Sequence, residues 1–211
     1  MSACYEAPQE DQPQTEAPDL TGAGNPFRCV MTVDMDGILR NLEALRRWTQ
    51  AQLIAVVKNN GYGLGLVPYA RLLAAHGVRC FAVARIEEAV ALRQSGFEPD
   101  IVVMTPPQDA VQAQQLAQWR LTAAADSLEQ LTWLEQAAFR IRGRCPVHLK
   151  FDTGFGRFGF APEAAQELAG ALERFPHVDI DGIFSHCGIL EPRPARRQFE
   201  LFLRAADTLE Q

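Results

Sequence analysis

Strand-like and helix-like patterns alternate along most of this chain, and that alternation limits the folds it can adopt. A short strand pattern at 28–33 comes first, and six further apolar strand patterns follow, separated by helix patterns such as Ile86 to Gln94. Strict alternation of strand and helix indicates a parallel α/β sheet covered by helices. The six strands are predicted at Leu53 to Val57, Cys80 to Ala84, Ile101 to Met104, Leu121 to Ala124, Val147 to Phe151 and Val178 to Phe184.

Two architectures are built from such units, the (β/α)8 TIM-type barrel and the doubly wound sheet. The residues with unusual chemistry follow the predicted strands, and a barrel carries its chemistry at the carboxyl ends of its strands. We therefore expect a barrel and keep the doubly wound sheet as the alternative. A closed barrel needs eight strands, whereas about six βα units are present, so the predicted barrel is incomplete.

The first 27 residues differ in composition from the rest of the chain. They hold four prolines and several acidic and amide side chains, with few large apolar residues. Such a segment buries too little apolar surface to fold, so 1–27 is predicted to be a disordered acidic tail. It lacks the basic start and apolar middle of a signal peptide. The globular domain is predicted to cover 28–211.

Charge and cysteine content argue against several classes of function. The formal net charge is -6 with no block of Lys and Arg, which disfavours a nucleic-acid partner. No apolar run approaches the roughly 18 residues of a membrane span, so no membrane partner is expected. The five cysteines are scattered without a Cys-x-x-Cys pair, which predicts reduced thiols, a cytoplasmic location and no metal site.

The most informative stretch runs from Leu53 to Gly65. Its first five residues are apolar without alternation, which predicts a strand buried on both faces. Lys58 ends that strand. The loop that follows holds two Asn and three Gly residues, a composition suited to unusual backbone angles and close approach.

Lys58 has two interpretations. From its position alone, the commoner one is a structural lysine whose stem lies on apolar surface while its ammonium reaches water. The other is a catalytic lysine, whose pKa is lowered by desolvation and whose neutral amine forms a Schiff base with an aldehyde. In the second case the glycines have a purpose, because backbone amides approach an anion closely where no Cβ intervenes. Tyr62 could donate its hydroxyl to the same anion.

The second informative stretch contains Gly154, Gly156 and Gly159, which match the dinucleotide pattern Gly-x-Gly-x-x-Gly. A dinucleotide fingerprint normally opens the first βαβ unit, whereas this match follows the fifth of the six strands. Its loop also contains Arg157 and bulky Phe side chains, which would crowd a pyrophosphate. We therefore favour a barrel loop over a dinucleotide site.

As a barrel loop, the same stretch places Lys150, Asp152 and Arg157 at one strand end. Arg157 is then a planar fork for a carboxylate or an oxyanion. For Asp152 we expect a plain ion pair with Lys150.

His186 follows the sixth strand. An isolated histidine is more often structural than catalytic, but this one ends a predicted barrel strand on the same face as Lys58 and Arg157. The other three histidines lie at helix ends or within strand patterns, and no role is predicted for them; they are His76, His148 and His177.

Three stretches resemble the motifs of one enzyme family, in the family's order and over nearly the whole of Cys29 to Gln211. The stretch 56–65, Val-Val-Lys-Asn-Asn-Gly-Tyr-Gly-Leu-Gly, looks like the pyridoxal-phosphate lysine motif of alanine racemases. The stretch 150–160, Lys-Phe-Asp-Thr-Gly-Phe-Gly-Arg-Phe-Gly-Phe, resembles the second motif, and 183–187, Ile-Phe-Ser-His-Cys, resembles the third.

The resemblance implies a pyridoxal 5'-phosphate-dependent racemase that interconverts L- and D-alanine, the latter a cell-wall precursor. Lys58 would hold the cofactor as an internal aldimine and act as one of two bases at the substrate Cα. Tyr62 would hydrogen-bond the phosphate, and Arg157 would face the phenolic oxygen and orient the substrate carboxylate. His186 would pack beside the cofactor ring, and Lys150, often carbamylated in this family, would lie against Arg157.

The departures from the family concern both loop residues and length. Gly61, Leu64 and Phe155 stand where the family usually has Ala, His and Met, which leaves the substrate open, serine or another small amino acid included. Family members also close the barrel and add a C-terminal β-domain, which is absent here. Those parts carry an arginine at the pyridine nitrogen, most of the phosphate cradle and the tyrosine that is the second base, contributed by the partner subunit of a homodimer.

Three hypotheses remain from the sequence. The favoured one is the cofactor half of an amino-acid racemase, because two absent strands would leave unpaired edges and an open apolar interior. The second is a complete but non-racemising barrel that binds or carries the cofactor. The third is an inert α/β module with an ordinary lysine.

Overall fold

The computed structural model describes residues 32–188 and 191–210. The predicted tail at 1–27 and most of the predicted strand at 28–33 lie outside the described residues, so neither prediction is tested. Thr32 and Val33, the described end of that strand, are not in a strand. Within these ranges no helix is both long and apolar enough to cross a membrane.

Six strands alternate with helices, and their bounds agree with the predicted ones to within two residues. The strands are β1 (Ile54–Val56), β2 (Cys80–Val83), β3 (Asp100–Val103), β4 (Thr122–Ala125), β5 (Cys145–Lys150) and β6 (Val178–Phe184). The helices are α1 (Met35–Trp48), α2 (Leu66–Ala75), α3 (Ile86–Gln94), α4 (Ala110–Gln118), α5 (Leu128–Arg140), α6 (Ala165–Leu172) and α7 (Pro192–Glu210). A left-handed turn at Lys58–Tyr62 follows β1, and a 3-10 turn at Pro162–Ala164 precedes α6.

The strands form one sheet in the order in which they occur in the chain, and every neighbouring pair is parallel. A doubly wound sheet reverses its strand order at a switch point. Consecutive order without reversal is the arrangement of a barrel wall. The structure therefore confirms an incomplete TIM-type barrel of six βα units and excludes the doubly wound alternative.

Burial increases from the first strand toward the centre of the sheet. All four residues of β4 are buried, whereas in β1 Ile54 is 46% exposed and Val56 37% exposed. The prediction that this strand is buried on both faces is therefore wrong. The reason is position, because β1 is an edge strand that pairs only with β2 among the described residues.

Side-chain caps set where two of the helices begin. Asp109 and Ser127 precede α4 and α5, and each side chain accepts a hydrogen bond from a backbone N–H three residues later, at 2.8 and 3.3 Å. Such caps satisfy backbone donors that the first helical turn leaves without a partner. Both capped helices begin after loops at the face of the sheet where the candidate site lies.

Candidate active site

A cavity of about 480 Å³ opens at the carboxyl ends of the strands. All five residues predicted from the sequence to form a site line it; they are Lys58, Tyr62, Lys150, Arg157 and His186. The first two follow β1, Lys150 and Arg157 belong to the end of β5 and its loop, and His186 follows β6. The structure therefore brings the predicted site residues together, while their chemical roles stay predictions.

Lys58 and Lys150 are the chain's only two lysines. Both line this cavity. Arginine supplies all the other basic side chains apart from histidine. Every side-chain amine available for nucleophilic chemistry in this sequence is therefore at one place.

Lys58 opens a turn whose backbone is left-handed. Asn59, Asn60 and Gly61 have φ of 54°, 55° and 62° with ψ between 38° and 53°, and Tyr62 has φ of 56°. Residues with a Cβ rarely adopt these angles, and each one costs about 1–3 kcal/mol unless its surroundings hold it. The sequence predicted unusual backbone angles here but not a full left-handed turn.

Backbone and side-chain hydrogen bonds hold this turn at both ends. Gly61 donates its N–H to the carbonyl of Val57 at 2.9 Å, and Gly65 donates to the carbonyl of Asn60 at 2.9 Å. The side-chain oxygen of Asn60 accepts from the N–H of Leu66 at 2.9 Å, at the start of α2. The turn is thus fixed between β1 and α2, and it presents Lys58 and Tyr62 to the cavity.

Lys150 is buried, with 2% of its surface exposed. Its ammonium donates to the carbonyl of Phe151 at 2.6 Å and lies 5.5 and 5.7 Å from the ring centres of Phe158 and Phe184. Desolvation lowers the pKa of Lys150, the charge of Arg157 lowers it further, and Asp152 opposes the change. The neutral form of the Lys150 amine is therefore favoured more than in an exposed lysine.

Asp152 does not form the ion pair with Lys150 that we expected. Its carboxylate instead accepts hydrogen bonds from the backbone N–H groups of Gly154, Phe155 and Gly156, at 2.9–3.1 Å. Partial desolvation raises the pKa of Asp152, but these hydrogen bonds outweigh it, and the pKa lies below its usual value. The ion-pair prediction is wrong because three converging amides are better partners than one ammonium that already bonds to a carbonyl.

The glycines of the Arg157 loop fold it back onto its own strand. The N–H of Asp152 donates to the carbonyl of Phe160 at 2.9 Å, and the N–H of Phe160 donates to the carbonyl of Lys150 at 2.8 Å. A Cβ at Gly159 would lie 2.4 Å from the backbone nitrogen of Asp152, so no side chain fits there. Gly159 is thus needed because the loop backbone passes close to the backbone of Asp152. This packing accounts for the third glycine of the Gly-x-Gly-x-x-Gly pattern, so that glycine is no evidence for a dinucleotide site.

Arg157 and His186, which both line the cavity, also contact the ring of Phe155. The guanidinium of Arg157 lies 4.8 Å from the Phe155 ring centre, and the His186 ring meets the same phenyl edge-to-face at 4.5 Å. Desolvation lowers the pKa of His186, as do the charges of Arg157, Lys150 and Lys58. These surroundings therefore disfavour the charged form of His186.

The cavity is electrically one-sided. Three cationic side chains line it, and within the part of the chain that the structure describes no carboxylate does. A cavity with this balance attracts an anionic ligand. Phe158, Phe184 and His186 give the same cavity flat ring surfaces.

Comparison with known proteins identifies the family. A family model described as the alanine racemase N-terminal domain matches residues 33–211. The chain belongs to the alanine racemase family. This confirms the resemblance seen in the three sequence motifs.

Relatives within the family are longer than this chain. An alanine racemase of Geobacillus stearothermophilus is 39% identical over 161 residues, which cover 73% of this chain and 40% of that protein. An alanine racemase of Nostoc sp. is 31% identical over 194 residues, covering 86% of this chain and 50% of that protein. The chain thus spans about half the length of the curated relatives it matches.

Solved structures agree with the fold. The alanine racemase of Clostridium difficile 630 superposes with a TM-score of 0.77 at 25% identity, covering 86% of this chain and 50% of that one. The barrel wall described here therefore corresponds to part of a solved alanine racemase.

Reasoning from the sequence of this family member missed two groups of the site. Glu88 is buried and accepts a hydrogen bond from the backbone N–H of Asn59, beside Lys58. Ser185 donates to the carbonyl of Phe151, the same carbonyl that Lys150 bonds to. Glu88 had a local signal, an acid in the first turn of a helix, but nothing in the sequence pointed to its distant partner.

Proposed function

We propose that this chain carries the cofactor-binding part of a pyridoxal 5'-phosphate-dependent amino-acid racemase. The observation that supports this most directly is the convergence of both lysines, Arg157, Tyr62 and His186 on one cavity. Alanine is the proposed substrate, because the relatives described above are alanine racemases.

The cavity fits pyridoxal 5'-phosphate by its chemistry. The cofactor is an aromatic aldehyde with a phosphate group, and the cavity offers amines, cations and ring surfaces but no carboxylate among the described residues. Tyr62 would donate to the phosphate, and His186, held edge-to-face by Phe155, would pack against the ring. When bound, the cofactor supplies an electron-withdrawing system that stabilises negative charge at a substrate Cα.

Lys58 is the residue proposed to hold the cofactor and to move the proton. Its amine would hold the cofactor through the aldehyde carbon, and the same amine would accept or return the proton at the substrate Cα. Racemisation needs a second base on the opposite face, which we propose is a tyrosine outside this sequence, from the partner subunit of a homodimer.

Arg157 and Lys150 are proposed to orient rather than to react. The fork of Arg157 would face the phenolic oxygen of the cofactor and the carboxylate of the amino acid. Lys150 lies buried beside it with a lowered pKa. A neutral amine in that position can add to carbon dioxide with loss of a proton, and we propose that Lys150 is carbamylated, which would place a negative charge against Arg157.

We propose a cytoplasmic location for the enzyme.

The test is reduction of the purified chain with borohydride in the presence of pyridoxal 5'-phosphate, followed by peptide mapping. Only Lys58, Lys150 and the amino terminus can carry a reduced pyridoxyl group, so the assignment is unambiguous. We expect the group on Lys58, and we expect Lys58→Ala to abolish it.

Lys150→Arg is the matched control, because it removes the other side-chain amine that could carry the label. It should leave a labelled Lys58. Labelling of Lys150 or the amino terminus alone, unchanged by Lys58→Ala, would refute the proposed role of Lys58.

A further inference from the structure

Glu88 is a buried acid that the proposed chemistry does not use. It lies in the first turn of α3 and is 6% exposed. Its Oε2 accepts hydrogen bonds from the backbone N–H groups of Ala84 and Arg85, both at 3.1 Å. Bonds of this kind cap a helix. The two capping bonds account for the position of Oε2 but give no role to Oε1.

The other oxygen reaches a different part of the barrel. Oε1 accepts a hydrogen bond from the backbone N–H of Asn59 at 2.6 Å, across 29 residues of sequence. A bond to an ionised acceptor is shorter and stronger than one between neutral groups. The side chain of Glu88 therefore joins the loop after β1 to the loop after β2.

The position of Asn59 in the chain explains why this bond can influence Lys58. It follows Lys58 directly and is the first residue of the turn that has left-handed backbone angles, with φ of 54°. The hydrogen bonds of Gly61 and Gly65 close the turn on its own neighbours, whereas the bond from Asn59 connects it to another element. Loss of that connection removes one restraint against relaxation of the Asn59 backbone toward the right-handed region that residues with a Cβ prefer.

We propose that Glu88 is a positioning residue, which holds the Lys58 amine in the cavity through the backbone of Asn59. This inference rests on the proposed function, in which Lys58 binds pyridoxal 5'-phosphate. Glu88 does not line the cavity, so it acts through the turn. A residue that only caps α3 would stabilise the helix and leave Lys58 unchanged, and the experiment separates these two roles.

The test compares Glu88→Gln with Glu87→Gln, an exposed acid on the same helix turn. Glutamine keeps the length of the side chain but replaces one acceptor oxygen with a donor, so it cannot serve all three N–H groups. The pyridoxal 5'-phosphate concentration for half-maximal labelling of Lys58 is expected to rise about tenfold in Glu88→Gln, the usual effect of losing a charged hydrogen bond, and not in Glu87→Gln. The visible absorption of the loaded chain should change in the same variant alone. Unchanged labelling and absorption in Glu88→Gln would overturn the proposal.

Hydrogen exchange without cofactor gives an independent measurement. The amide of Asn59 is expected to be protected in the wild-type chain, and exchange in 57–66 should accelerate in Glu88→Gln while α5 stays unchanged. An unprotected Asn59 amide in the wild-type chain would overturn the proposal even if the variant does not fold. Failure of wild-type Lys58 to take the label would instead refute the proposed function, and the exchange result would still decide the role of Glu88.

Discussion

Single carboxylates organise the two loops that carry the site. Asp152 gathers three backbone amides and so shapes the loop that presents Arg157. Glu88 accepts one backbone N–H from the turn after Lys58 and two from the residues just before its own helix. In both cases the carboxylate accepts hydrogen bonds from backbone N–H groups. Because neither carboxylate lines the cavity, the charged side chains that the described residues contribute to its lining are all basic.

Asp152 makes the stability of the chain depend on pH. Its pKa in the folded chain is below the usual value of about 3.9, so its stabilising effect is complete above that pH and is lost as the pH falls through the folded-state pKa. We expect Asp152→Asn to lower the free energy of unfolding by about 1 kcal/mol at pH 7, with the difference from wild type shrinking below about pH 4. Urea unfolding at a series of pH values measures this.

Asp207→Asn is the matched control, since Asp207 is an exposed acid on α7. It should change the free energy of unfolding little at any pH. A difference between Asp152→Asn and wild type that stays constant, or that grows in acid, would contradict the proposed effect of the amide bonds.

Turns that connect helices to strands contain backbone carbonyl groups that need hydrogen-bond donors. The side chain of Arg93 donates to the carbonyls of two such turns. Arg93, in the last turn of α3, donates to the carbonyls of Phe97 and Pro99 after its own helix and to those of Trp119 and Arg120 after α4. Burial lowers the pKa of Arg93, but a guanidinium stays charged in proteins. The planar fork thus fixes the ends of two helices beside the strands that follow them.

Arg93→Lys is expected to destabilise the chain by about 2 kcal/mol, although it keeps the charge, because one ammonium cannot reach four carbonyls. Arg204→Lys, at an exposed position of α7, is the control and should have little effect. Thermal and urea unfolding of both variants measure the difference. Equal stability of the two would show that the fork geometry at Arg93 does not matter.

The described barrel wall has two outer strands, and β1 exposes apolar surface. Ile54 and Val56 are partly exposed on this strand, and Trp48 at the end of α1 is 88% exposed. Among the residues that the structure describes, β1 has a strand partner on one side only, and an apolar strand edge without a partner is a site for association with other chains. We therefore expect the 211-residue chain to self-associate as its concentration rises.

Ile54→Thr should reduce that association, because threonine keeps the β-branched shape and removes apolar surface from the edge. Val111→Thr is the control, since Val111 is 67% exposed but lies on α4. Sedimentation velocity over a range of concentrations measures both. A monomeric wild-type chain at all concentrations, or equal effects of the two variants, would contradict an association through β1.

The sequence by itself determined the parts of this protein that depend on neighbouring residues. The bounds of α3 and β6 match the prediction, because hydrophobic periodicity and turn residues are local signals. The five site residues were also found this way, since each lies at the end of a strand or in the loop that follows it, and the carboxyl ends of parallel strands meet at one face.

Only the tertiary structure decided what depends on distant residues. The order of the strands excluded a doubly wound sheet, and the edge position of β1 left Ile54 partly exposed. Asp152 accepts hydrogen bonds from the backbone amides of its own loop and forms no ion pair with Lys150. The hydrogen bond between Glu88 and Asn59 joins the first βα unit to the second, across 29 residues of sequence. Burial and partner choice are set by which elements pack together, and periodicity in a single sequence carries no information about that.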